Sequence, residues 1–309
     1  MSTLREAVEE YIALRRQLGF KLALAHRYLG KFVHFMEARR IPFITIEAAL
    51  EWAMQPRGAD PAYLAQRLGA VRRFARHHCA TDPRTQIPPI DLLRHRPRRA
   101  RPYHYSEQDI ERLLTSTQGL RPMGGLRRAT YATLLGLLTV TGMRISEVLA
   151  LRVEDVDLQE GLLTVRKTKF GKTRLVPLHP SARRALQQYA RQRDALVGRR
   201  TTHFFVSSQG RPLVAANVMK TFRLLRRRVG LQAREGCDPP TLHHFRHRFA
   251  TESLLRWYRA GDDVERRLPV LSTFLGHVCI SSTYWYLSCH PELMEQAVRR
   301  LEQRWENSP

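Results

Sequence analysis

Along residues 1–93 the apolar positions recur every three or four residues, the period of amphipathic helices. Leu4, Val8, Tyr11, Ile12 and Leu18 form one stripe, and Tyr28, Leu29, Phe32, Phe35 and Met36 a second. Ile44 to Met54 is expected to be a short third helix. Asp60-Pro61 combines an N-cap residue with proline at the first helical position. The helix it opens carries Leu64, Leu68, Val71 and Phe74 on one side and Arg67, Arg72, Arg73 and Arg76 on the other. The periodicity stops at Arg94–Pro102, a stretch with five arginines and two prolines that reads as an exposed linker. Beyond it, Ser106-Glu-Gln-Asp109 has the form of a capping box with Asp in place of Glu. A long apolar helix is expected from Leu126 to Thr141. Leu162 to Arg166 and Arg174 to Leu178 read as two strands joined by the turn Lys167–Lys172, and Phe204–Val206 as a third. Helices then return at Ser181–Leu196, Ala215–Val229, His243–Trp257, Leu268–Leu275 and Glu292–Trp305. The pattern predicts a mainly α protein with a small antiparallel β-sheet, of class α+β. Its parts are a helical domain over residues 1–93, a basic linker over 94–104 and a second domain over 105–309.

Charge changes this picture more than composition does. Hydrophobic residues make up 43% and charged residues 26% of the 309 positions, as in ordinary folded proteins. Lys and Arg number 52 against 28 Asp and Glu, a formal net charge of +24. Such a surplus favours a polyanionic partner, nucleic acid first, with a ribosomal or membrane-surface protein as the plainer readings. The arginines of the fourth helix fit either a solvated face or a DNA backbone contact. Arg96, Arg98 and Arg99 in the linker, and Lys220, Arg223 and Arg227 on the Ala215–Val229 helix, are candidates for the same contact. No apolar run reaches the roughly 18 residues that a membrane helix needs, and the first residues lack the pattern of a signal peptide. Cys79, Cys237, Cys279 and Cys289 are scattered, without a Cys-x-x-Cys pair. No membrane contact and a cytoplasmic location are expected.

Five short segments carry phosphoryl chemistry. Arg144 lies in Thr141-Gly-Met-Arg144-Ile-Ser-Glu147, followed by Leu149 and Leu151. Lys169 stands in the turn, at the head of Lys169-Phe-Gly-Lys-Thr-Arg174-Leu-Val-Pro177, with Lys167 and Lys172 as competitors. His243 and Arg246 fall three apart at a helix start and share a face. His277 ends Leu275-Gly-His277, and Tyr286 follows nine residues later. Two guanidiniums can hold a phosphate in bidentate fashion. Imidazoles and an ammonium can move protons. Taken singly these signals are weak: a tyrosine beside Tyr284 and Trp285 more often fills a core, and His244 and His247 read best as packing or surface residues. A metal site at the histidine cluster lacks a carboxylate or cysteine at ligand spacing. Glu154, Asp155 and Asp157 read as turn residues before the hairpin, which leaves a metal-dependent nuclease poorly supported.

In order and spacing the segments resemble the tyrosine recombinase (phage integrase) family over residues 106–290. That resemblance implies a helical core-binding (SAM-like) domain ahead of a catalytic domain. It implies that Arg144 and Arg246 bind the scissile phosphate, with Glu147 positioning the first of them. His243 and His277 would support the phosphate, Lys169 would protonate the leaving 5′-oxygen, and Tyr286 would attack phosphorus. The product of that step is a 3′-phosphotyrosyl link, which retains the ester's energy, so the chemistry needs no ATP and no cofactor or metal is expected. Double-stranded DNA at recombination sites is the implied substrate, in integration, excision or transposition. The implied assembly is a tetramer on paired sites, with partner recombinases as further candidates. The rival readings are a type IB topoisomerase and a non-catalytic DNA-binding protein on a recombinase scaffold. The stretch Trp257-Tyr-Arg-Ala-Gly-Asp-Asp-Val264 reads as an inserted loop. The last helix, with Leu293, Ala297, Leu301 and Trp305 in one stripe, is expected to dock on a neighbouring protomer or on its own domain.

Overall fold

Thr3 starts the first helix by a reciprocal capping box with Glu6, and α1 then runs Leu4–Gln17. Helix α2 spans Ala23–Ala38, α3 Ile46–Met54 and α4 Pro61–His78. Thr45 and Asp60 cap α3 and α4 by accepting the backbone N–H groups of Ala48 and Ala62. These four helices bury their predicted stripes against one another around Ile12, Leu29, Phe32, Trp52, Leu68 and Phe74. Leu18 falls outside the stripe: the helix ends at Gln17, and Gly19 at positive φ turns the chain away. The computed structural model describes residues 3–93, 101–122, 125–166, 173–198, 201–233, 235–277, 279–287 and 291–306. It divides the chain into two compact units, residues 1–99 and 100–309.

In the first unit, two of the arginines expected on an exposed face are engaged internally. Arg67 is only 5% exposed; its guanidinium lies 3.8 Å from the centroid of the Trp52 ring and donates to the Trp52 carbonyl at 2.6 Å. A planar, weakly hydrated cation stacked on indole can be buried where a lysine could not. Arg72 donates to the carbonyls of Pro88 and Pro89, tying the segment after α4 back onto the helix. Arg73 and Arg76 are exposed.

The second unit begins inside the stretch assigned to the linker. Arg101 bridges to Cys237, and Tyr103 and Tyr105 are buried in the unit's core. Ser106 and Asp109 form the expected capping box of α5, Glu107–Ser116. Helix α6 runs Leu126–Thr141, and the short α7 runs Ile145–Ala150. The sheet is antiparallel in the order β1 (Val156–Asp157), β2 (Leu162–Val165), β3 (Arg174–Pro177), with Leu163 opposite Val156 on one side and Val176 on the other. Phe204–Val206 is not the third strand. All three residues are buried; Val206 bridges to Pro212, outside the sheet, and the two phenyl rings pack around Tyr189.

Helix α8 spans Pro180–Val197, α9 Ala215–Arg228, α10 His244–Arg259 and α11 Val264–Leu275. The expected inserted loop, residues 257–264, is helical at both ends. α10 continues to Arg259 and Asp263 caps α11, leaving residues 260–263 as the connection. Helix α12 (Ser281–Leu287), which periodicity did not announce, carries Tyr286. Helix α13 (Pro291–Glu306) packs on its own chain. Leu293 is buried with Leu254, Leu268, Leu271 and Tyr286, and Glu292 pairs with Arg259 of α10. The side chains of Leu301, Arg304 and Trp305 lie outside the described residues.

Candidate active site

Gly142 closes α6 in the left-handed conformation (φ +58°), and a Cβ there would stand 2.7 Å from Phe249 of α10. Glycine is therefore required, and the tight turn delivers Arg144 to the start of α7. Glu147, one turn on, accepts the backbone N–H of Arg144 at 3.0 Å and its Nη1 at 2.9 Å. The spacing of this motif thus encodes a local reciprocal contact: the carboxylate that starts the helix also holds the arginine. A second cation, Arg174 at the start of β3, grips the same carboxylate through Nη1 at 3.1 Å and Nη2 at 2.7 Å. Burial raises the Glu147 pKa, but the hydrogen bonds and charges of the two arginines more than offset this and hold it below the usual carboxylate range.

The C-terminal end of α11 gathers the cations. Its last carbonyls have no partner within the helix and carry the negative end of the macrodipole. Arg174 Nε donates to Phe274 O at 2.8 Å, Arg246 Nη2 to Leu275 O at 2.6 Å, and Arg144 to Gly276 O at 3.3 Å and 3.4 Å. Arg246 also donates to Gly142 O at 3.0 Å, joining the α6–α7 turn to α11. Gly276, at φ +67°, turns the chain so that His277 follows directly.

Arg246 is 1% exposed, and burial lowers its pKa to about 10, partly offset by the neighbouring Tyr286 and Glu147. It remains charged at neutral pH. Arg144 is the more open cation, with 31% of its side chain exposed. The Tyr286 ring stacks on His277 (5.9 Å, 20°) and meets His247 edge-on (5.3 Å, 66°). Tyr284, by contrast, projects outward and is exposed. His277 Nδ1 pairs with Thr283 Oγ1 at 2.7 Å. Burial and then the neighbouring arginines lower the pKa of His243, and push His277 down to about 4. His247 falls to about 3 and His244 to about 4, in each case mainly through burial. All four imidazoles are therefore neutral at pH 7. His244 and His247 sit among aromatic rings, and His244 Nδ1 accepts the Thr241 N–H.

The structure thus brings Arg144, Glu147, Arg246, His277 and Tyr286 into one cluster, with His243 at the head of α10 beside His247 (4.9 Å between rings). Lys169 lies outside the described residues, between β2 and β3. What the cluster offers is a set of fixed guanidiniums, neutral imidazoles and one phenol, suited to a charged phosphorus centre.

Residues 105–292 match the model of the Phage integrase family. A putative integrase/recombinase, y4rB, of Sinorhizobium fredii is 48% identical over 312 residues, covering 99% of both chains. The chain belongs to the phage integrase family. At the level of that family it is a DNA recombinase or integrase. The tyrosine recombinase XerD of Caulobacter vibrioides is 34% identical over 251 residues, 78% of this chain and 75% of that one. Among solved structures, the Tn1549 transposon integrase in complex with transposon right end DNA superposes with a TM-score of 0.68 at 19% identity, covering 98% of this chain and 99% of that one. XerH bound to a palindromic difH substrate gives 0.64 at 21% identity, over 89% and 78%. These two likenesses establish the fold.

Within this integrase-family domain, Lys220, Arg223 and Arg227 of α9 are exposed and line a cleft of about 830 Å³ together with Arg121, Arg127 and Arg211. Arg96, Arg98 and Arg99 lie outside the described residues. Among the described residues, no three His, Cys, Asp or Glu side chains converge as metal ligands, and no helix is long and apolar enough to cross a membrane. Asp155 is occupied by Arg166 and the Arg152 N–H, and Asp157 caps the turn at Gln159 and Glu160. The residue that sequence reasoning passed over is Arg174. It was visible in the basic pattern leading to Pro177 but served there only to set the register of Lys169.

Proposed function

We propose that this protein cuts and rejoins double-stranded DNA at specific sites through a 3′-phosphotyrosyl intermediate. The observation that carries the reading is that Tyr286 stacks on His277, next to the α11 carbonyls that hold Arg144 and Arg246. In the proposed step the Tyr286 oxygen bonds to phosphorus, the bond from phosphorus to the 5′-oxygen breaks, and the 3′-phosphate stays on the tyrosine. Arg144 and Arg246 neutralise the charge of the pentacoordinate phosphorane, and His277 adds a hydrogen bond. The neutral imidazole of His243 accepts the phenol proton, and Lys169 supplies one to the 5′-oxygen. The 5′-hydroxyl of a partner strand reverses the step. Glu147 keeps two adjacent cations from repelling each other. Exchange between two duplexes requires several copies, and a tetramer on paired sites is the proposed assembly, with other recombinases as possible partners in it. Integration, excision and transposition share this chemistry; the named relatives include an integrase of a transposon and Xer recombinases.

The test is covalent trapping. The DNA flanking the gene is made as a nicked duplex whose cleaved 5′ fragment diffuses away. Wild-type protein should form an SDS-resistant adduct without magnesium, and Tyr286→Phe should form none. An adduct in both would move the nucleophile to Tyr284. Binding without an adduct, with candidate partner recombinases added, would leave a DNA-binding protein on a recombinase scaffold. Relaxation of supercoils without strand exchange would indicate a topoisomerase.

A further inference from the structure

We propose that Arg174 is a positioning residue for the phosphate clamp, and that it sets the place and charge of the Arg144 guanidinium without itself touching DNA. The inference rests on the recombinase reading above. The Arg174 side chain is 9% exposed and makes three directed contacts at once: two to Glu147 and one to Phe274 O. Glu147 Oε1 is shared between Arg144 and Arg174, so the position of one guanidinium is tied to the other through a single oxygen. The Gly276 carbonyl that receives Arg144 follows the Phe274 carbonyl that receives Arg174 by two residues. Gly276 itself fits against the fork: a Cβ there would lie 2.7 Å from Arg174 Nη1. One side chain therefore ties β3, the α7 carboxylate and the end of α11 into a fixed frame.

The charge count makes the fork matter for chemistry. Glu147 carries one negative charge between two guanidiniums, so the trio keeps a net positive charge. With Arg174 removed, Glu147 would neutralise Arg144 alone. The phosphate would then meet a weaker cation, in a position the helix end no longer fixes. A lysine at 174 would keep the charge but could not make the planar two-point contact and the carbonyl contact together.

The experiment compares strand cleavage by wild type, Arg174→Lys and Arg174→Gln on two nicked duplexes built from the DNA flanking the gene. One has an ordinary scissile phosphate. The other has a methylphosphonate there, which lacks the negative charge that the clamp neutralises. Each protein is assayed below its own unfolding midpoint, and duplex affinity is measured in parallel. Affinity should stay within about threefold. On the ordinary phosphate Arg174→Gln, which loses both position and charge, should cleave about a hundredfold more slowly than wild type, and Arg174→Lys, which keeps the charge, should lose less; on methylphosphonate the Gln deficit should shrink to less than about tenfold. An equal deficit on the two substrates would show a purely structural role and overturn the proposal, as would no deficit on either. Failure of the wild type to form any adduct on either duplex would instead bring down the strand-transfer reading, and this inference with it.

Discussion

At the scale of single residues, the site is built by giving buried arginines carbonyl and carboxylate partners. A guanidinium removed from water without such partners would be strongly destabilising. The carbonyls of Gly142 and Leu275 offset the burial of Arg246, which so keeps its charge in the core. Gly142 is the backbone condition for this arrangement. Gly142→Ala should lose roughly 2 kcal/mol or more, from the left-handed backbone and the contact with Phe249. Urea unfolding would check it; an unchanged midpoint would contradict the tight fit. In the first unit, Arg67→Ala should cost about 2 kcal/mol through lost stacking on Trp52 while leaving the salt dependence of DNA binding intact. A drop in that salt slope would return Arg67 to the DNA-facing surface.

At the scale of elements, α11 is the organiser. It ends where three guanidiniums from β3, α6–α7 and α10 converge, and each contact with the helix end contributes about 0.3–2 kcal/mol depending on burial. The helix that follows, α12, stacks Tyr286 on His277, and α13 closes over the same small core through Leu293. Leu293→Asp should therefore destabilise the second unit by about 3 kcal/mol or more, because an unpaired carboxylate would replace a buried isobutyl group. Loss of protection of α10 amides in hydrogen exchange of the full chain would show it. Unchanged protection would mean that α13 is dispensable to its own domain.

At the scale of the whole molecule, charge and burial make separate predictions. With a net charge of +24, duplex binding should weaken steeply with salt, with a log–log slope of about −5 or steeper. Lys220→Ala should reduce the magnitude of that slope by about one if the α9 cleft holds a phosphate. Burial of the histidines sets the pH response. His244, His247 and His277 have folded pKa values lowered to about 4, 3 and 4 from an ordinary 6.5. The unfolded chain therefore takes up protons that the folded protein refuses. Stability from these groups is complete above pH 6.5 and falls progressively from there toward pH 4 and pH 3, where the folded histidines begin to protonate. Chemical denaturation at stepped pH should show that fall, and His247→Phe should flatten it. A midpoint constant from pH 7 to pH 4.5 would contradict the burial argument.

The sequence by itself determined what is local. Helix stripes and caps follow from residues within one or two turns: Asp60 with Ala62 and Ser106 with Asp109 are contacts between near neighbours, so these helix starts could be read in advance. The Thr141–Glu147 motif was legible for the same reason, since Glu147 acts on Arg144 three residues away. Tertiary structure decided everything that depends on a distant partner. Arg67 looked like its exposed neighbours Arg73 and Arg76 until Trp52, from another helix, came to lie beneath it. Phe204–Val206 has strand composition but is buried on every side, so it packs among aromatic rings rather than joining the sheet. Asp263 extended α11 into what read as a loop. Arg174 carried no signal of its own, because its partners lie 27 and 100 residues away in the chain. Local spacing sets which residue types can do phosphoryl chemistry. Burial and shared partners, which only the folded chain supplies, set their charge, direction and neighbours.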